Sequence, residues 1–120
     1  MLKKDLLTLE KVLWVGMGAF PGGLARWLIG NDFAVNIFGT ALLGLLMGLD
    51  LTPRVQLFLI FGFCGAFTTF SGWMVEVLEL LEMGMYLRSF AYVFLLLIVS
   101  LSSICGGFLL GRRIKGSIAP

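Results

Sequence analysis

Histidine is absent from the 120 residues, cysteine occurs only twice, and 13% of the chain is charged. Without histidine, the chain lacks the side chain that most often ligates metals and titrates near neutral pH. Cys64 and Cys105 both lie inside apolar runs, where a free thiol acts as a small packing residue. No nucleophile has a base beside it, and no carboxylates are paired within an apolar stretch. Enzyme chemistry therefore has no foothold, and the chain is read as a non-enzyme. Soluble domains carry roughly a quarter charged residues. With so few here and a mean hydropathy of +1.02, the solvent for most of the chain must be lipid.

What charge there is collects in a few places: Lys3, Lys4, Asp5, Glu10 and Lys11, then Asp50 and Arg54, then Glu76 to Glu82, and finally Arg112, Arg113 and Lys115. A helix needs about 20 apolar residues to cross the hydrocarbon, and the gaps between the charges supply four candidates, at about 11–30, 33–50, 55–81 and 86–111. The expectation is an all-α membrane protein with a single four-span domain and both termini on one side. The first apolar stretch has no cleavage pattern with a polar domain behind it, so it is read as retained. Lys3, Lys4, Lys11, Arg54, Arg112, Arg113 and Lys115 fall on the side of the termini, against Arg26 and Arg88 on the other. The positive-inside rule then places both termini in the cytoplasm. The formal charge of +2 says little about partners, and no nucleic acid is expected among them.

Small residues recur at helix-turn spacing, as in Gly18 and Gly22, Thr40, Gly44 and Gly48, Gly62 and Ala66, and Gly107 and Gly111. In lipid such stripes let helix backbones approach closely. Four thin spans enclose little volume, which favours assembly with another copy or partner.

The third apolar run is about 27 residues long, and its central segment, Gly62 to Trp73, contains a cluster of glycine, threonine and serine that hold a helix poorly. Two readings are open. One is a break whose freed backbone groups line a polar cavity and bind an ion. The other is a continuous helix whose hydroxyls bond back to their own carbonyls. Asn36 stands between Val35 and Ile37 and acts either as glue between helices or as a donor into a pore. Arg26 either snorkels to the interface or attracts anions. Glu76, Glu79 and Glu82 form a row that reads as a solvated face, with Glu76 the deepest. Phe70 and Trp73 stand apart from the other aromatics because they flank the polar segment.

These residues resemble the Fluc/CrcB family of fluoride channels. The matches are Gly-Gly-Leu-Ala-Arg-Trp at 22–27, Val-Asn-Ile-Phe-Gly at 35–39, Gly-Phe-Cys-Gly-Ala-Phe-Thr-Thr-Phe-Ser at 62–71 followed by Glu76, and Tyr92. They fall in the family's order over nearly the whole chain. The resemblance implies an antiparallel dimer whose broken third helices cross at the centre around a structural Na+ held by backbone carbonyls. By position, those carbonyls belong to Gly65 and Thr68. It also implies a fluoride pathway along Asn36, Phe70, Ser71, Trp73 and Tyr92, with Arg26 and Glu76 attracting anions or serving structure.

The implied activity is passive, fluoride-specific export across the cell membrane that relieves fluoride toxicity. Aromatic ring edges and one amide offer a small, strongly hydrated anion several weak ligands, and weak sites permit exit as well as entry. Gly72, Trp73 and Met74 depart from the family's phenylalanine box and polar track, which puts one of two pathways in doubt. Together with the strong basic bias, that favours a homologous partner chain of opposite orientation over self-pairing. Two other functions compete with this one. A small multidrug-type proton-coupled exporter needs an acidic residue in its first span, and 12–30 contain none. A non-conducting assembly subunit would leave the polar segment without a purpose.

Overall fold

The computed structural model describes residues 2–118. Every long element among them is helical: α1 (Leu2–Ile29), α2 (Asp32–Gly48), α3 (53–67), α4 (Phe70–Glu82) and α5 (Tyr86–Ile118). α1 and α5 run beyond their apolar stretches into charged flanks. Pro21 sits inside α1 without ending it, as membrane helices tolerate.

Local chemistry sets the boundaries. Gly30, at φ 65°, ends α1. Asn31, extended at φ −128°, starts α2 by accepting the Ala34 N–H on its side chain at 3.0 Å, a standard N-cap. Pro53 occupies the first turn of α3, where its missing N–H costs nothing. α4 closes with Gly84 at φ 73° and a Met85 N–H to Leu80 carbonyl bond of 2.9 Å, the Schellman geometry. Leu57–Cys64 within α3 is wound as a π-helix, which periodicity did not foretell.

α1, the α3–α4 pair (Pro53–Glu82) and α5 are each long and apolar enough to cross a membrane. α2 has 17 residues, or about 26 Å at the α-helical rise, the short end of the spanning range.

Packing runs through the glycine stripes. α1 lies on α3 with Gly18 against the Phe58 carbonyl, Gly22 against that of Phe63, and Gly62 against that of Val15. α2 lies on α5 with Gly44 against the Ile104 carbonyl, Gly107 against that of Ala41, and Gly111 against that of Leu45. A Cβ at any of these positions would overlap backbone, so the contacts exist only because the side chain is absent. Between α4 and the α2–α5 pair sits a small core of Trp73, Val77 and Leu96, edged by Phe33, Ile37 and Tyr92. Most large apolar side chains, among them Phe20, Trp27, Leu87 and Phe94, point outward and exposed, as in a protein whose surroundings are apolar.

Candidate functional site at the helix break

Of the two readings of the polar segment, the structure has the break. α3 ends at Phe67; Thr68 (φ −82°, ψ 152°) and Thr69 (φ −141°, ψ 123°) are extended, and α4 begins at Phe70. An extended pair in a membrane helix strands its peptide groups, and a stranded group in hydrocarbon costs several kcal/mol. Asn36, only 8% exposed, answers for Thr69. Its Nδ2 donates to the Thr69 carbonyl at 2.9 Å, and its Oδ1 accepts the Thr69 N–H at 2.8 Å. The side-chain amide thus pairs with the broken backbone as a neighbouring strand would. Thr40 Oγ1 bonds the Asn36 carbonyl at 2.8 Å. Gly39 leaves room for Thr68 and Phe67, which a Cβ there would strike.

This pairing redirects donors. In an unbroken helix the Thr69 N–H would serve the Gly65 carbonyl and the Gly72 N–H that of Thr68. Here the first goes to Asn36 and the second to Thr69 Oγ1 at 3.1 Å. The carbonyl end of α3 and the amide end of α4 therefore face the same gap, with opposite partial charges. Among the described residues no group of three or more His, Cys, Asp or Glu could hold a metal; the oxygens at the break are backbone carbonyls, the Asn36 side-chain carbonyl and the hydroxyls of Thr40, Thr68, Thr69 and Ser100.

A cleft of about 200 Å³ opens at the break, lined by Asn36, Thr40, Thr68, Thr69, Phe70, Trp73, Leu96, Leu97 and Ser100. Phe70 is exposed and meets Trp73 edge-on, with centroids 5.4 Å apart at 77°. Trp73 is buried, and its indole N–H is the single buried side-chain polar atom without a partner among the described residues. Farther along α4, the Tyr92 hydroxyl donates to the Glu76 carboxylate, while Phe33 stacks on the Tyr92 ring at 6.4 Å.

Asn36, Thr68, Phe70 and Trp73 are thus gathered at one cleft. Ser71 is exposed beside it and 3.4 Å from the Thr69 hydroxyl, and Glu76 and Tyr92 form a pair farther out. Arg26, in the last turn of α1, is not among the cleft residues. Glu79 and Glu82 are exposed, as expected of a solvated face.

Sequence reading missed Thr69, Thr40 and Asp32. The Asp32 carboxylate fills the space that a side chain at Gly72 would take. The available signal was Gly72 itself, a residue without a side chain in the first turn of a helix.

Two ion pairs, Arg54 with Glu10 at 2.8 Å and Lys115 with Asp50 at 2.6 Å, tie the α2–α3 connection to α1 and α5. Both lie at the end of the bundle that holds the chain termini.

The family described as CrcB-like protein, Camphor Resistance (CrcB), matches residues 13–108. A Prochlorococcus marinus protein named Fluoride-specific ion channel FluC 1 is 38% identical over 93% of this chain and 90% of its own length. A second from that species, Fluoride-specific ion channel FluC 2, is 43% identical over 88% of this chain and 86% of its own. A Synechococcus protein, also Fluoride-specific ion channel FluC 2, is 43% identical over 95% and 90%. With three long apolar helices, a break between α3 and α4 that Asn36 of α2 bridges at Thr69, and a family match across most of its length, this membrane protein belongs to the CrcB family.

Proposed function

We propose that the chain is a subunit of a fluoride-specific channel that lets fluoride leave the cytoplasm passively, down its electrochemical gradient. The observation that carries this reading is the Asn36–Thr69 pairing, which holds open a gap with carbonyls on one side and amides on the other. The names of the similar proteins agree with it.

In this reading the apolar helices make four spans with α2 as the shortest, both termini face the cytoplasm, and the membrane is the cell membrane. Two chains meet antiparallel with their breaks apposed. Carbonyls of Gly65 and Thr68 from each would hold a Na+. Their fit rests on donor chemistry: hard, neutral oxygens released from helix bonding suit a hard cation. The ion would supply fixed positive charge where no charged side chain lines the cleft.

Fluoride passing the cleft would meet the second Asn36 amide hydrogen, the Phe70 ring edge, the Ser71 hydroxyl and the open first N–H groups of α4. Each is a modest ligand, so no single one traps the ion. Trp73 lies at the cleft wall, and Tyr92 with Glu76 continues the polar line outward. Arg26 is assigned to interface anchoring. The partner is a homologous chain of opposite orientation, because a chain that pairs with itself in both orientations should carry little basic bias, and this one carries much.

Fluoride efflux from liposomes tests the reading. Vesicles holding this chain with an oppositely oriented homologue should release fluoride and retain chloride. Efflux from this chain alone at the same rate would dismiss the obligate partner, and none in either case would dismiss the channel.

A further inference from the structure

We propose that Asp32 sets the rate at which anions leave the break toward the Glu76 end of the bundle, acting as a fixed charge beside the route. The inference rests on the channel reading and adds to it a residue that the polar segment itself does not contain.

α2 and α4 meet at their first turns, running in opposite directions, and the contacts there form a short ladder. Asn36 meets Thr69, and one turn nearer the chain's α1–α2 connection, Asp32 meets Gly72. A further turn along α4, Glu76 accepts from Tyr92. An anion released from the cleft toward that end moves along this ladder and passes Asp32 first.

Three observations make Asp32 a free charge there. Asn31, not Asp32, caps α2, so the carboxylate is not consumed by its own helix. Gly72 has no Cβ, and the carboxylate occupies that place against the first turn of α4, where the helix's positive end favours it. Among the described residues Asp32 has no cationic partner, since both ion pairs lie at the other end of the bundle. A half-buried carboxylate is screened less than a surface one, and its repulsion of a nearby anion is correspondingly larger. It also competes for the amide end of α4 that a passing anion would use.

Asp32→Asn, reconstituted with whichever partner gives wild-type flux, should raise fluoride efflux at least about threefold. The difference should shrink at high ionic strength, a response that a packing defect would not give. Gly72→Ala places a Cβ where the carboxylate lies and should raise flux in the same direction, with little further gain in the double variant. This second variant serves if Asp32→Asn fails to assemble. Wild-type flux with equal or lower flux in both single variants would overturn the inference while leaving the channel intact. Absence of fluoride flux from the wild type in every pairing would remove the channel reading and the inference together.

Discussion

At the scale of single residues, Asn36 has the largest structural task. Truncation to alanine leaves the Thr69 N–H and carbonyl without their partner in a buried setting, and each unmade bond of this kind costs about 1–3 kcal/mol. Asn36→Ala should therefore lose at least about 2 kcal/mol of stability along with most fluoride flux, as read by denaturant unfolding and liposome efflux. Asn36→Asp, which keeps the acceptor but not the donor, should rescue neither. Trp73 predicts the opposite balance. Its indole N–H has no partner, so Trp73→Phe removes an unmet donor while keeping most of the ring. The stability change should stay below about 1.5 kcal/mol by the same unfolding measurement.

Asp50 offers a pH test. Its hydrogen bond and charge attraction to Lys115 hold its carboxyl below the ordinary value of 3.8. A depressed folded pKa stabilises the fold above the unfolded value and ceases to do so as pH falls through the folded one. Asp50→Asn should thus match the wild type in thermal stability at strongly acidic pH and fall slightly below it near neutrality. A constant difference at all pH values would locate the effect elsewhere. The carboxylate is fully exposed, so the neutral-pH difference should be small and diminish with salt.

At the scale of helices, adjacent glycines in α5 make a direct comparison. Gly107 faces the Ala41 carbonyl across the α2–α5 contact, whereas Gly106 has open space. Gly107→Ala should force the helices apart and cost about 1–3 kcal/mol, while Gly106→Ala should be neutral or stabilise by up to about 1 kcal/mol. Unfolding in detergent measures both.

The elements also mark how far the sequence could be read. The glycine stripes were legible because spacing alone puts Gly44 and Gly48, or Gly107 and Gly111, on one helix face. The polar centre of the third run was legible as an ambiguity: threonine and glycine weaken a helix, but they do not say whether it bends or breaks. What decided it was Asn36, thirty-three positions away from Thr69, a tertiary contact that no local pattern contains. The π-wound Leu57–Cys64 was invisible for a related reason, since a uniformly apolar run has no phase from which a change of winding could be seen. Asp32 fell in the short connection before the second apolar run, where nothing in the sequence pairs it with Gly72, forty positions on; that contact is tertiary.

At the scale of the whole molecule, charge is divided between the two ends of the bundle. Lys3, Lys4, Lys11, Arg54, Arg112, Arg113 and Lys115 stand at the end that holds the termini, and Asp32, Glu76, Glu79 and Glu82, with Arg26 and Arg88, at the other. If insertion follows the basic residues, a reporter fused after the last helix should be found in the cytoplasm in nearly every molecule. Equal populations on both sides would mean that the chain supplies both halves of its own antiparallel assembly. Weakening the bias by Arg112→Glu and Arg113→Glu should shift the populations measurably toward the other orientation.

A regular helix is indifferent to most of its sequence, because its bonds run between backbone groups that every residue but proline possesses. At Thr68 and Thr69 that immunity ends. There, a single amide at position 36 does the work of a missing stretch of main chain. Most of the protein can drift and keep its bonds, but a change in one codon unmakes the turn on which the site depends.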